Sequence, residues 1–530
     1  MSSKNTPPSP SPTNRPEPQQ GGERIVAAID LGSNSFHMIV AALTPQTGTL
    51  RVIDRLREPV RLAAGLTPDE KRIDMAAQQR AVACLERFAE RLREIDPGSV
   101  RAIGTNTLRR ARASEDLLPA AEHALGQPIE VVSGFEEARL IYLGVAHSLG
   151  FDQRRRLVVD IGGGSTELIL GEGSRPLQME SLHLGCVALS TEFFAEGRVS
   201  EAAMAAAVLH GRLELGPITA AFGATAWQAA VGASGTVKAV AQVCAALYGD
   251  APGVVSASSL ERLVQALIKE GECRRLATKA ALSTDRQPVF VGGVAALKAV
   301  FEALSIEQME VADGAMREGI LYDLGGRAGL VAGAEDARDA SVAALRQRYS
   351  VDAGQAERIR ATALRLYAQI AEPWGLTDPL YHDMLDWAAQ LHEIGLDISH
   401  AQYHKHGAYI LTHADLAGFS RQEQALLAVL VRVHRRKLAR TPRRELPARW
   451  QEPATRLALL LRLAVLLHRS RSDAAAPEPE LDRTAKRVLT LTWPASVLAD
   501  NPLLRADLAQ EARYLERAGW RLEVVSKSAC

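Results

Sequence analysis

Apolar and polar positions follow a β-type pattern at the start of the chain. Ile25 to Leu43 (IVAAIDLGSNSFHMIVAAL) holds two β-rich runs around a small-residue turn, which predicts strand, tight loop, strand. From about Asp74 to Ile95 the period changes: Val82, Leu85, Phe88, Ala89 and Leu92 recur at near-helical spacing. Val100 to Thr107 reads as a strand followed by a polar helix, and Ile129 to Gly134 as a strand running into the helix EEARLIYLGVAHSL. Arg156 to Gly173 then repeats the opening theme. DLGSNSFHMIV and DIGGGSTELIL start about 130 residues apart and share Asp, an aliphatic, Gly, two small or polar residues and Ser in sixth place. The repeat predicts two related α/β halves whose loops face one cleft. Gly232 to Val243 reads as a Gly/Ser turn opening a helix, Val289 to Leu304 as a strand–glycine–helix unit, and Met309 to Leu324 closes the series. Strands alternating with helices define an α/β class.

The pattern changes at the Gly-rich stretch from Leu324 to Asp336, a predicted boundary. From about Glu335 to Asp473 Arg, Ala and Leu dominate at helical spacing. AAAPEPE marks a loop, and Arg487 to Trp493 and Trp520 to Val525 read as strands of a small terminal unit. Met1 to Gly22 is rich in Pro, Ser, Gln and Asn and lacks the apolar core of a signal peptide, so a disordered tail is expected. The apolar run Leu457 to Leu467 is interrupted by Arg462 and suits a buried helix; no transmembrane segment is expected.

Composition narrows the function. The 62 basic and 62 acidic residues cancel, which excludes binding a polyanion over the whole surface; any such ligand needs a local concentration of positive charge. The five cysteines are scattered, odd in number and form no CxxC pair, so buried packing thiols in a reducing, intracellular compartment are expected.

Several motifs carry candidate chemistry. In Asp30 to Ser35, Gly32 lets the backbone approach an anion, Ser33, Asn34 and Ser35 add donors, and Asp30 can orient a hydrated Mg²⁺. Read alone, it is equally a plain hairpin turn. Asp160 to Glu167 is stronger. Gly162, Gly163 and Gly164 are costly in a strand setting unless the backbone must make room, Ser165 follows, and Asp160 and Glu167 flank the turn where they can share one hydrated ion. Gly235, in Gly232 to Thr236, opens a helix whose amides either receive an anion or are merely capped. Gly292 and Gly293 serve either the same cleft or a close strand–helix contact. Arg109 is either a phosphate clamp or a solvated arginine. Glu136 and Glu137 are either a general base for water or favourable charges at a helix N-terminus.

AAIDLGSNSFHMIV, GTNTLRRA, SGFEEARLIYLGV, VVDIGGGSTELILGEG and GASGTVKAVAQ, in this order, resemble the exopolyphosphatase / guanosine pentaphosphate phosphohydrolase family of the sugar kinase–actin–heat-shock ATPase superfamily. The likeness is dense from Arg24 to Leu324 and looser beyond. It implies two ribonuclease H-like (actin-like ATPase) α/β domains facing a cleft, at 23–139 and 140–326. A mainly helical HD-like domain at 335–475 and a small α+β unit at 480–530 follow. It further implies Glu137 as catalytic base, with Glu136 its weaker neighbour, and Asp160 and Glu167 around Mg²⁺, often with K⁺; the motif reading adds Asp30. Gly32, Ser33, Asn34, Ser35, Gly162, Gly163, Gly164 and Ser165 are implied to hold phosphate and Arg109 to be a functional arginine, here taken as a phosphate clamp; the helix start adds Gly235 as a phosphate candidate. The leading expectation is exopolyphosphatase chemistry, in-line attack of water on a terminal phosphoryl group of polyphosphate. Conversion of guanosine pentaphosphate to the tetraphosphate, the family's stringent-response activity, is the alternative. An ATP-dependent kinase or ATPase of the same superfamily is a further class. A cytoplasmic homodimer is implied, with at most peripheral membrane contact and no nucleic-acid partner.

Leu391 to Leu411 concentrates His392, His400, His404 and His406, with His413, His382 and His434 nearby. An HD-type metal site needs an adjacent His-Asp pair. Here the pair is His392-Glu393, so a degenerate, metal-free HD-like domain is expected. Arg432, His434, Arg435, Arg436, Lys437, Arg440, Arg443 and Arg444 form a basic cluster, read as a cationic path for polyphosphate carried chiefly by Arg432, Arg435, Arg436 and Lys437.

Overall fold

A computed structural model describes residues 23–527 apart from 46, 68–70, 112–113, 151–152, 281, 328–330, 332–335, 440, 473–478 and 486. The expected tail at 1–22 and Arg440 of the basic cluster lie outside the described residues. The chain forms two units that divide between Asp336 and Ala337, with the short segment Val131–Glu136 grouped with the second.

The first unit is built on two sheets of the same plan. In one, β1 (Arg24–Leu31), β2 (Phe36–Thr44), β3 (Thr49–Glu58), β4 (Val100–Gly104) and β5 (Ile129–Val131) lie in the order β3-β2-β1-β4-β5. The other holds β6 (Arg155–Ile161), β7 (Thr166–Glu172), β8 (Arg175–Leu182), β9 (Ala229–Gly232), β10 (Val254–Ser256) and β11 (Gln308–Val311), in the order β10-β11-β9-β6-β7-β8. Each begins as an antiparallel meander followed by a parallel strand beside its first member: β4 pairs with β1, and β9 with β6. The register fixes the loops. Leu31 pairs with Phe36 and Ile161 with Thr166, so Gly32 to Ser35 and Gly162 to Ser165 occupy matching turns. The central strands β1 and β6 are nearly continuous apolar runs because both their faces are covered.

Three expectations are corrected. Val289 to Val291 is not a strand; it lies within one helix, Gln287–Leu304, with Pro288 in its first turn. The β-branched and aromatic residues suit a strand locally, but the helix is apolar nearly all round and largely buried, so packing overrides propensity. By length and composition it is apolar enough to cross a bilayer, yet two-thirds of it (67%) is buried within the protein. Gly292 and Gly293 belong to its contacts with neighbouring helices. A Cβ on Gly292 would lie 2.5 Å from the Cys186 carbonyl, and one on Gly293 2.4 Å from Thr236 Cγ2.

Second, the expected second half, 140–326, does not keep to the second sheet. The helix Met316–Arg327 returns to pack against β1, β2 and β4 of the first sheet. It crosses the helix Gly134–Leu149 at near backbone contact: a Cβ on Gly319 would lie 1.8 Å from the Leu140 carbonyl, and one on Gly144 1.9 Å from that of Ala315. Asp323 on the returning helix accepts from Arg101 Nη1 (2.5 Å), Arg327 Nε (2.7 Å) and Arg139. Burial alone would raise its pKa, but the three guanidinium groups outweigh it and hold the carboxyl far below its ordinary range.

Third, 480–530 is not a separate unit. β12 (Glu480–Ala485), β13 (Val488–Pro494) and β14 (Arg521–Lys527) form a sheet whose Leu481, Leu489, Leu491 and Trp493 share one core with the helices of 337–467. The rings of Trp374 and Trp520 meet edge-on at 6.0 Å.

Asp323→Ala removes the buried carboxylate that three guanidinium groups share. It is expected to lower stability by roughly 3–5 kcal/mol in urea unfolding, the usual cost of removing one partner of a buried ion pair. A loss under about 1 kcal/mol would show that water replaces the carboxylate, as at surface pairs.

Candidate active site

The two matching turns touch. A Cβ on Gly163 would lie 2.9 Å from Ser33 Cβ, and one on Gly164 2.6 Å from Asn106 Oδ1 and 3.7 Å from Ser33 Oγ. Only residues without a side chain let the loops approach so closely. Each loop is also held from behind. Thr107 Oγ1 donates to Ser33 Oγ at 2.8 Å, and the Gly162 amide to the Ser165 carbonyl at 2.9 Å. Gly32 to Ser35, Gly162 and Gly163 line one pocket of about 290 Å³, together with Asp30, Asp160 and Gly235.

That pocket also gathers four cations that the sequence reading did not single out: Arg57, Lys238, Arg286 and Arg317. Arg286 is mostly buried, and burial lowers its pKa. A Cβ on Gly235 would lie 1.9 Å from Arg286 Nη2. Gly235, expected to receive phosphate on a helix amide, therefore also makes room for a guanidinium that can. It starts the helix Gly235–Tyr248, capped by Ser234, whose Oγ accepts from the Val237 amide at 3.2 Å. Arg317 Nη1 donates to His37 Nδ1 at 2.6 Å, and burial with the neighbouring arginines lowers the His37 pKa to about 2, so that imidazole is a neutral acceptor. Arg57 pairs with Asp285 at 2.5 Å. Lys238 lies within GASGTVKAVAQ, but no short motif marks Arg57, Arg286 or Arg317, which come from strand β3 and from the starts of two helices distant in sequence.

Carboxylates face the same region. Burial, followed by the neighbouring acids against the opposing pull of Arg317, raises Asp30 and Asp160 to about 7. Glu167 pairs with Asp160 across β6 and β7, accepts from Ser181 Oγ at 2.8 Å, and is pushed well up by burial and by Glu137 and Asp160. Glu137, near the start of the helix Gly134–Leu149, accepts from Arg109 Nη1 at 2.9 Å; burial raises its pKa against that guanidinium. Buried acids that repel one another call for a cation. Asp30 Oδ1 is buried without a hydrogen-bond partner, so these residues fit a divalent ion. Among the described residues no three His, Cys, Asp or Glu side chains gather as a metal cage.

The remaining expected residues fall elsewhere. Gly164, Ser165, Arg109, Glu137 and Glu167 are not among the residues lining the pocket, and Arg109 meets Glu137. Glu136 is corrected as a base: it is fully buried, and its Oε2 accepts from the Gly418 amide at 2.7 Å. Arg432, Arg435, Arg436 and Lys437 belong to the second unit. Within the basic cluster His434 is buried, and Arg443 is taken up by Thr455 Oγ1 (2.5 Å) and the Ala439 carbonyl (3.0 Å), so neither is a free surface charge. Cys84, Cys186, Cys244 and Cys273 are free and buried. A second, more apolar cavity of about 550 Å³ shares Ser33 and Asn34 with the pocket and is lined by Val187, Phe194, Asp285 and Pro288 among others.

Residues 39–328 match the Ppx/GppA phosphatase family and residues 337–512 match Ppx/GppA phosphatase, domain III. A guanosine-5'-triphosphate,3'-diphosphate pyrophosphatase of Aeromonas hydrophila is 38% identical over 496 residues, spanning 94% of this chain and 98% of its own. The protein of that name from Vibrio vulnificus is 37% identical over 509 residues, covering 96% and 100%. Among solved structures, an exopolyphosphatase from Cytophaga hutchinsonii aligns with 57% of this chain and 97% of its own, with a TM-score of 0.52 and 23% identity. At that identity the likeness concerns the fold alone.

Gly163→Ala wedges a methyl group between the loops. Phosphate release is expected to fall about 100-fold, the scale of an ångström-sized misplacement, with the thermal midpoint nearly unchanged. Gly235→Ala is expected to raise KM about tenfold by displacing Arg286, and wild-type KM in that variant would detach Arg286 from the substrate.

Proposed function

The chain belongs to the Ppx/GppA phosphatase family and is a phosphoric anhydride hydrolase, and from that premise we propose that it removes the terminal phosphate of guanosine pentaphosphate. The observation that carries the substrate is the similarity, over nearly the full length of both chains, to relatives bearing that activity in their names. The 550 Å³ cavity beside Ser33 and Asn34 supports it, since its apolar wall suits a nucleoside while the phosphates occupy the loops. Exopolyphosphatase chemistry, the leading expectation from sequence, is not specifically favoured. It remains the competing outcome of the test below.

In the proposed reaction the amides of Gly32 to Ser35 and Gly162 to Gly163 receive the equatorial oxygens of the terminal phosphoryl group. Arg286, Arg317 and Lys238 offset its charge. Glu137 takes the proton of the attacking water, oriented by Arg109 on one carboxylate oxygen, and its burial keeps it a stronger base than an exposed glutamate. Asp30 and Asp160, which line the pocket, would hold a hydrated Mg²⁺ with Glu167 beside Asp160 on β7, and the ion when bound supplies charge neutralisation of the phosphate oxygens. Removing the base should lower kcat and leave binding nearly intact.

Hydrolysis of guanosine pentaphosphate and of long-chain polyphosphate, measured side by side with Mg²⁺ and with chelator, tests the assignment. The expected result is a higher kcat/KM on the nucleotide and loss of both activities in chelator; a preference for polyphosphate overturns it. Glu137→Gln is expected to lower kcat by about 10²–10⁴ with KM little changed, and an unaltered kcat would remove Glu137 as base.

A further inference from the structure

The second unit encloses a cavity of about 680 Å³, more than twice the volume of the pocket at the phosphate loops. Its floor carries His392 and His434, both 1% exposed, with rings 5.5 Å apart and nearly perpendicular. Each imidazole is anchored the same way. His392 Nδ1 lies 2.8 Å from the Ala389 carbonyl, and His434 Nδ1 2.7 Å from that of Val431. A carbonyl only accepts, so both protons sit on Nδ1 and each Nε2 keeps a lone pair. His434 Nε2 has the Tyr403 hydroxyl at 3.4 Å, whereas His392 Nε2 is buried with no hydrogen-bond partner. Glu393 Oε1 stands 3.9 Å from it and is clamped by Arg471. The floor thus presents two adjacent acceptors and no donor between them.

The rest of the wall is charged: Arg435, Arg436, Arg462, Arg469 and Arg471 outnumber Glu393, Asp507 and Glu511 by two, with Arg469 paired to Asp507 at 2.5 Å, Arg462 to Glu511 at 2.5 Å and Arg471 to Glu393. Arg435 lies over the Tyr403 ring at 4.6 Å, and Arg436 and Arg469 are exposed. A metal ion would satisfy the His392 lone pair, but among the described residues no third ligand joins His392 and Glu393 in a ligating group. A bare phosphate would satisfy the arginines and leave most of the volume empty. A polyphosphate chain carries no donor for His392.

We propose that this cavity is a second binding site, distinct from the phosphate loops, for a nucleoside phosphate. Its base or ribose donates to His392 Nε2 and Glu393, and its phosphates pair with the arginines. The site does not depend on which substrate the loops hydrolyse.

Equilibrium dialysis of the full-length protein against labelled GDP, and separately ADP, counts the sites. Two per chain are expected for at least one nucleotide. One is weakened at least tenfold by His392→Phe and by Arg469→Ala, and the other by Arg286→Ala. Pyrophosphate and long-chain polyphosphate should compete at the His392 site at least tenfold more weakly than the nucleotide. Arg469 is exposed, so its variant decides the matter if His392→Phe fails to fold. A single site removed by Arg286→Ala alone overturns the proposal. So does unchanged affinity in Arg469→Ala, or polyphosphate displacing the nucleotide as well as unlabelled nucleotide does.

Discussion

Contact between two turns of small residues governs the rest of the catalytic unit. Ser33 and Gly163 meet only because position 163 lacks a Cβ. The two hairpins reach each other because β1–β2 and β6–β7 share one register and one turn length. Both turns then line a single pocket. The same economy recurs behind the loops, where Gly144 and Gly319 let two helices cross at backbone distance.

Charge is distributed around that contact in two opposed ways. At Asp323 three arginines surround one carboxylate, which stays ionised and ties the returning helix to β4 and to the helix Gly134–Leu149. At the site, acids share a buried region: burial raises the pKa of Asp30, Asp160, Glu137 and Glu167, and neighbouring acids add to it at Asp30, Asp160 and Glu167. The first arrangement is complete without a ligand. In the proposed reaction the second is balanced from solution, by a divalent ion with a phosphate whose own charge meets Arg286, Arg317 and Lys238. The helix that carries Asp323 begins at Met316 and also carries Arg317, so the ion-pair lock and the phosphate pocket share one rigid element.

In the second unit His392 and His434 are both buried and anchored through Nδ1 to backbone carbonyls, and the residue after His392 is Glu. Arginines surround them, and Arg462, buried and paired with Glu511, also holds the carbonyls of Val433 and Arg436 in place.

The sequence by itself determined the two loops, since three successive glycines between strands and a repeated Asp–aliphatic–Gly pattern are local signals of a backbone that must approach an anion. It also determined the strand–loop–strand openings and the change to helices after Asp336, because periods of two and of 3.6 are written in neighbouring residues. Only the tertiary structure decided which arginines serve the pocket. Arg286 and Arg317 follow no motif and arrive through helices that start far along the chain, and Gly235 explains Arg286 only once the two are seen in contact. Tertiary packing also turned Val289 to Val291 from strand to helix, merged the terminal sheet into the helical core and directed Glu136 to the Gly418 amide rather than to water. Each outcome depends on what lies across the fold from a residue, and that neighbour is not encoded in the residues beside it.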